Sequence, residues 1–373
     1  MIPYGRQDIS QTDIDAVVEV LRSDWITQGP TIARFEQAVA NYCGSQYAVA
    51  VCNATAALHL ACRAIGLGVG DRLWTSPNTF VASANCGLYC GAEVDFVDID
   101  PQTYNISIDA LRAKLEQAEK VGKLPKVLIP VHFAGQSCEM ATIAELAKQY
   151  GFYVIEDASH AIGGEYKGKK IGNCSYSDMT VFSFHPVKII TTGEGGMVVT
   201  NNPELFEKVS LLRTHGITRT PSQGAWYYQQ VELGYNYRIT DIQAALGLSQ
   251  MQRLDSFINQ RHELVQTYND SLKDLPLQLP WQHPDSYSAW HLYVIRLNKR
   301  SQVFDSLREA GIGVNVHYIP VHTQPYYQEM GFKIGDFPEA EKYYDQVISL
   351  PIYPLLTETE QQKVITFLKK ALL

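Results

Sequence analysis

Residues 179–201 read MTVFSFHPVKIITTGEGGMVVTN. Its two ends, MTVFSF and GGMVVTN, are apolar at consecutive positions, the pattern of strands buried on both faces. Between them lie His185-Pro186, one lysine among Val187, Ile189 and Ile190, and a turn rich in Thr, Gly and Glu. A lysine of a solvated face usually has polar neighbours, and Lys188 has apolar ones. Working outward, similar runs recur at QYAVAVC (46–52), RLWTSPNTF (72–80), VDFVDI (94–99), KVLIPVHF (126–133) and FYVIED (152–157). Helical patterns over 54–65, 81–91, 107–120 and 138–150 separate them. Alternation of this kind predicts an α/β fold with a mostly parallel seven-stranded sheet covered by helices. Ligands of such sheets collect at the carboxyl ends of the strands.

Around this centre, Val17, Val18 and Leu21 mark an amphipathic opening helix, and 203–217 and 238–273 read as helices. The stretch TRTPSQGAWYYQQ (218–230) has no clear period and reads as a loop that closes over substrate. From about residue 250 the pattern changes. A long helix (252–273), strands at WHLYVIRL (290–297) and GVNVHY (313–318), and helices near 338–346 and 357–371 predict a smaller α+β domain. The expected division is 1–250 for the large domain and 251–373 for the small one.

The 373 residues are 46% hydrophobic and 19% charged, with net charge −8. That acidic balance argues against nucleic acid or an anionic membrane as the main partner. Small phosphorylated ligands remain open, because helix N-termini hold them without many cations. Arg6, Asp8, Asp13 and Asp15 leave no secretory apolar segment at the start, and no apolar run is long enough to span a bilayer. Seven cysteines at irregular spacing read as reduced thiols, so a cytoplasmic location is expected. Cys86 and Cys90 read as core residues, and no metal site is expected. GLGVGD (66–71) follows a helix and precedes a strand, the reverse of a dinucleotide fingerprint, and reads as a turn.

Chemistry gathers at the strand ends. FYVIED ends in Asp157, with His160 a turn later. NATAAL starts a helix directly after a strand, so Thr55 and the following N–H groups form a helix N-terminus suited to phosphate. Ser183 and Lys188 flank His185-Pro186. Pyridoxal phosphate needs this set: a lysine for its aldehyde, a carboxylate for its pyridine nitrogen, and hydroxyls at a helix terminus for its phosphate. An apolar surrounding lowers the lysine pKa and frees the amine as nucleophile and base.

The motifs DWITQGP (24–30), SPNTFVASAN (76–85), PVHFAG (130–135), IEDASHAIGGEYKGKKIG (155–172), SFHPVKIITTGEGG (183–196), LRTHG (212–216), GYNYRITDIQAALGLSQ (234–250) and VHYIPVH (316–322) follow one another along the chain. In these it resembles the DegT/DnrJ/EryC1/StrS sugar aminotransferases, of fold type I among pyridoxal phosphate enzymes. The resemblance implies that Lys188 carries the cofactor covalently, Asp157 pairs with the ring nitrogen and His160 sits beside the ring. It implies that Phe80 packs on the ring and that Thr55, Ala56 and Ser183 hold the phosphate. Asn236 would reach the phosphate of a neighbouring subunit, making a homodimer with shared sites. Members that dehydrate sugars carry His at the lysine position, so Lys188 implies transamination, with L-glutamate as the expected donor. Arg238 is a candidate for the donor carboxylate.

Within the family, SFHPVKIITTGEGG is similar to the transaminases of pseudaminic acid biosynthesis. That likeness implies a UDP-4-keto-6-deoxy-N-acetylhexosamine acceptor, held by Tyr4, Asp24, Trp25, Ile26, Thr27, Asn53, His317, Tyr318, Ile319 and Pro320. A UDP-4-ketopentose acceptor, as for 4-amino-arabinose, and a dTDP-4-ketohexose are the alternatives. A cofactor-binding regulatory protein without turnover would lack the lysine, the carboxylate or the phosphate shell, and none is missing.

Overall fold

The computed structural model describes residues 1–219 and 221–372. Seven strands build the central sheet: β1 (Tyr47–Val51), β2 (Arg72–Thr75), β3 (Glu93–Phe96), β4 (Val127–Ile129), β5 (Tyr153–Asp157), β6 (Met179–Ser183) and β7 (Gly196–Thr200). Their spatial order is β1-β7-β6-β5-β4-β2-β3. Only β7 runs against its neighbours, β1 and β6; the other pairings are parallel. The six remaining strands therefore all end on one edge.

The side-chain period of two sorts each strand between two layers. On one face Leu73, Ile129, Ile155, Val181 and Val198 pack with residues of helices α3 (Ala54–Ala64) and α4 (Ala82–Tyr89). On the other, Phe182, Met197 and Val199 meet α2 (Pro30–Cys43), α8 (Asp241–Met251) and α9 (Leu254–Leu272). Trp74, Leu128 and Val154 on that side meet α5 (Ile108–Lys120) and α6 (Met140–Tyr150). Strands β4, β6 and β7 are buried at every position, which is why their sequences do not alternate. Each such Val, Ile or Phe contributes roughly 1.5–3 kcal/mol by leaving water. The opening helix α1 (Gln11–Leu21) starts in a capping box between Ser10 and Asp13. Asp13 also receives Ser249 Oγ at 2.6 Å and Gln250 Nε2 at 2.8 Å, docking α1 on α8.

Several boundaries differ from the expectation. Helix α2 was not anticipated, although Ile32, Phe35, Val39, Ala40 and Cys43 are its buried face. Helix α7 (Pro203–Arg213) stops short of 217, because the chain turns through Gly216 at φ 67°. The expected 238–273 helix is two, α8 and α9. In 218–230, apart from Thr220, which lies outside the described residues, the middle (221–227) is a connection with one short 3-10 turn, and only the two ends are regular. Residues Ile217–Arg219 pair antiparallel with Tyr228–Gln230 in an exposed ribbon.

In the C-terminal part, β8 (Tyr293–Arg296) pairs antiparallel with β9 (Val347–Leu350), not with GVNVHY. That segment makes one isolated bridge, Asn315 to Ser349, before turning toward the central sheet. Around β8 and β9 lie α10 (Arg300–Glu309), α12 (Pro338–Gln346) and α13 (Glu358–Leu372), while α11 (Pro325–Glu329) packs its Tyr327 on Phe96 and Asn85 of the large part. Ile2 belongs to the apolar core formed with α9, α10 and α13. Its N–H donates to the Gly311 carbonyl at 2.9 Å and its carbonyl accepts from Gly313 at 2.6 Å. That strip carries Tyr4 to the mouth of the central cleft.

Candidate active site

A cleft of about 590 Å³ opens on the edge where the parallel strands end. Each neighbouring strand delivers part of its lining. After β1 come Asn53, Ala54 and Thr55; after β2, Thr79, Phe80 and Ala82; β5 gives Asp157, Ser159 and His160; β6 gives Ser183, His185 and Lys188. Opposite them stand Tyr4, His291 and the run Asn315–Tyr318.

The floor is the N-terminus of α3. Asn53 caps it, its Oδ1 accepting from the Ala56 N–H at 2.8 Å. The N–H groups of the first turn, Ala54 and Thr55, have no acceptor within their own helix. The start of β7 lies directly beneath: a Cβ on Gly196 would come within 2.6–2.7 Å of the Asn53 carbonyl and the Ala54 nitrogen. The glycines that end the 179–196 segment thus let a strand press against a helix terminus.

Lys188 is half-buried in the wall. Burial pushes its ammonium down to about 8, with Asp157 pulling the other way. Asp157 is 5% exposed. Its Oδ2 accepts from Ser83 Oγ at 2.6 Å and its Oδ1 from the Ser159 N–H at 3.1 Å. The His160 ring bonds the Tyr318 hydroxyl through Nε2 at 3.1 Å, and its buried Nδ1 has no partner among the described residues. Burial, then Lys188 and His317, hold His160 well below the usual imidazole range. Its ring lies 4.3 Å from that of His291, which burial and His160 depress in the same way. His317 is pushed down to about 3 by burial and Lys188, while its Nδ1 bonds Ser349 Oγ at 2.8 Å. All three imidazoles are therefore neutral near pH 7, which leaves Lys188 as the cation facing Asp157.

The cleft brings together Tyr4, Asn53, Thr55, Phe80, Asp157, His160, Ser183, Lys188, His317 and Tyr318 from the sequence expectation. Other expected residues lie elsewhere on this chain. Ala56 is buried and its N–H is taken by Asn53. Asp24, Trp25, Ile26 and Thr27 are exposed on the turn before α2. Trp25 lines a different groove, between α1, α2 and α8, because that turn is tied to α8. Asn236 is exposed and bridges Thr214, Ile319 points to solvent and Pro320 is buried. Arg238 lines a small recess with Arg213 and Glu36, not the cleft. No arginine lines the cleft among the described residues. The sequence reading passed over Thr79, Ser83, His291 and Asn315. Ser83 and Asp157 are 74 residues apart, and no local pattern connects them.

These residues fit a phosphorylated pyridine aldehyde by their chemistry. There is an amine of lowered pKa for the aldehyde and a carboxylate for the ring nitrogen. The capped α3 terminus, with Thr55 and Ser183, presents N–H and O–H donors for the phosphate.

The sequence profile described as the DegT/DnrJ/EryC1/StrS aminotransferase family matches residues 7–369. The chain is 42% identical over 378 residues to the spore coat polysaccharide biosynthesis protein SpsC of Bacillus subtilis, covering 98% of this chain and 95% of that one. It is 40% identical over 360 residues to the UDP-4-amino-4,6-dideoxy-N-acetyl-beta-L-altrosamine transaminase of Campylobacter jejuni, covering 95% and 93%. Among solved structures, Helicobacter pylori PseC, an aminotransferase involved in the biosynthesis of pseudoaminic acid, matches with a TM-score of 0.92. Identity there is 33%, and coverage is 100% of this chain and 99% of that one.

Proposed function

The chain belongs to the DegT/DnrJ/EryC1/StrS aminotransferase family and uses pyridoxal phosphate; from that premise we propose that it moves the amino group of L-glutamate to C4 of a UDP-4-keto-6-deoxy-N-acetylhexosamine. The product is then UDP-4-amino-4,6-dideoxy-N-acetyl-β-L-altrosamine. The observation that carries the reading is Lys188, an amine that burial holds near 8 in a wall that it shares with Asp157.

The cofactor, when bound, supplies the aldehyde that takes up nitrogen and a ring that accepts electrons from the substrate carbon. The protein does the rest. Lys188 Nζ gains and loses a proton near neutral pH, so it serves as proton carrier at the sugar C4 and at the donor's α-carbon. Asp157 would hold a proton on the ring nitrogen. Thr55, Ser183 and the α3 N-terminus hold the phosphate, and Phe80, 59% exposed, presents its ring to the cleft. Tyr4, Asn53, His317 and Tyr318 orient the sugar, and the neutral His160 and Tyr318 exclude water behind it.

Asn236 and the turn 24–27 sit on one rim, joined by the bridge between Thr27 and Thr240. We assign that rim to the cleft of a second copy, which makes the working unit a homodimer. The Campylobacter and Helicobacter relatives support the acceptor named here. The 42% identity to SpsC favours a second reading, the same transfer to another nucleotide-linked ketosugar.

Two half-reactions separate these. L-glutamate should bleach the visible absorbance of the bound cofactor. The UDP-4-keto-N-acetyl sugar should then restore it faster than UDP-4-ketopentose or dTDP-4-ketohexose, with the aminated product identified by NMR. Preference for the pentose overturns the acceptor; no bleaching overturns transamination.

A further inference from the structure

The Asp157 carboxylate is held by a hydroxyl chain that no part of the reaction described so far uses. Ser83 Oγ lies 2.6 Å from Asp157 Oδ2, and Thr79 Oγ1 lies 2.8 Å from Ser83 Oγ. Ser83 is 0% exposed, Thr79 2% and Asp157 5%, so water does not compete for these bonds. An ionised carboxylate only accepts, which commits the single Ser83 proton to Asp157. The Ser83 oxygen then accepts from Thr79. The chain therefore has one direction, Thr79 to Ser83 to Asp157.

Its scaffold is the turn after β2 and the first turn of α4. Ser83 sits in that first turn, where the positive end of the helix dipole also favours an anion. Phe80 belongs to the same turn. One short segment, TFVAS, thus presents an aromatic ring to the cleft and clamps the acid at its back.

We propose that Ser83, oriented by Thr79, is a positioning residue that sets how strongly Asp157 holds the proton on the cofactor's ring nitrogen. This rests on the reading of Asp157 as the partner of that nitrogen. The other groups facing Asp157 are Lys188, Tyr318 and, one turn on, His160. None of them supplies the Oδ2 bond. With one donor fewer, a carboxylate binds a proton more tightly. In Ser83→Ala, Asp157 therefore draws positive charge off the ring nitrogen, and the lysine-linked group titrates at higher pH.

The test is a pH titration of the bound cofactor's visible absorbance in the holoenzyme. Wild type, Ser83→Ala, Ser83→Thr, Thr79→Val and Asp157→Asn are compared, with stopped-flow rates for the glutamate half-reaction and thermal midpoints. A charge-assisted bond of this kind predicts a rise of about one pH unit and a kcat about tenfold lower in Ser83→Ala. KM for L-glutamate should stay within about twofold. Ser83→Thr, which keeps the hydroxyl, should restore both, and Thr79→Val should shift the midpoint the same way by less. An unmoved midpoint in Ser83→Ala overturns the proposal, and so does a Ser83→Thr protein that behaves like Ser83→Ala. If Ser83→Ala does not fold, an unmoved midpoint in Thr79→Val overturns it. If Asp157→Asn also leaves the midpoint unmoved, the reading of Asp157 itself has failed, not only the role of Ser83.

Discussion

Glu156 and Asp157 are neighbours on β5, both carboxylates and both 5% exposed. The pleat sends them to opposite faces of the sheet. Glu156 receives His132 Nε2 at 2.6 Å and the hydroxyls of Thr180, at 2.9 Å, and Ser177. His132 is itself fixed, since its Nδ1 accepts from the Cys138 N–H at 3.1 Å, which leaves the proton on Nε2. Burial pushes the Glu156 pKa up, but His132 and the two hydroxyls outweigh it and hold the group below the usual carboxylate range. Asp157 has two donors and lines an open cleft. A buried acid whose acceptor sites are filled by the protein is structural. One left short of partners beside a cavity is available for chemistry.

Substitutions can break that contrast, and the largest effects belong to the cleft. Lys188→Ala should lose glutamate-dependent bleaching altogether, and borohydride should leave no cofactor on the peptide that carries position 188. Asp157→Asn should lower kcat by about 10²–10³-fold, with a thermal midpoint close to wild type. Glu156→Leu should do the reverse. Stranding His132, Ser177 and Thr180 should cost about 3–5 kcal/mol in urea denaturation, while the folded fraction keeps its turnover. If Glu156→Leu lowers kcat as far as Asp157→Asn at equal folded fraction, the division of labour on β5 is wrong.

The smaller effects are read by pH. The folded pKa of Glu156 is lowered, so its contribution is fully present above the unfolded value, about 4.3. It is lost as pH falls through the folded value. Wild type should lose its advantage over Glu156→Gln in that acid window. Lys188 has the opposite sense: its charged form is disfavoured in the fold. The penalty is complete below about 8 and fades as pH rises toward 10.5. Without cofactor, wild type should therefore gain stability relative to Lys188→Met across that alkaline window.

Much of this geometry is legible in the sequence. Runs such as VIED and TVFS are short, apolar on successive positions and bounded by turns, so their ends could be placed and Asp157 and Lys188 with them. The helix Pro30–Cys43 carried a readable apolar period that the reading did not take up. GVNVHY alternates like a strand, but Val314 packs in the C-terminal core while Asn315 and His317 reach the cleft. Its period reflects a chain passing between two environments, not a ladder. Trp25 has the flat face expected of a sugar contact. Where that face lies depends on how α1, α2 and α8 dock, which no local pattern encodes. Ser83 and His291 were missed for the same reason, because their roles exist only through partners distant in sequence.

Asp241 joins two such distant places. At 0% exposure it accepts from the Gly29 N–H at 2.5 Å and the Thr31 N–H at 2.8 Å, so one residue at the start of α8 also caps α2. For anyone building chimaeras to alter acceptor choice, the unit of exchange is therefore not a single loop. Segments 24–31 and 236–241 need to be transplanted from the same parent, since a graft of either alone would pair a foreign turn with an aspartate shaped for the original.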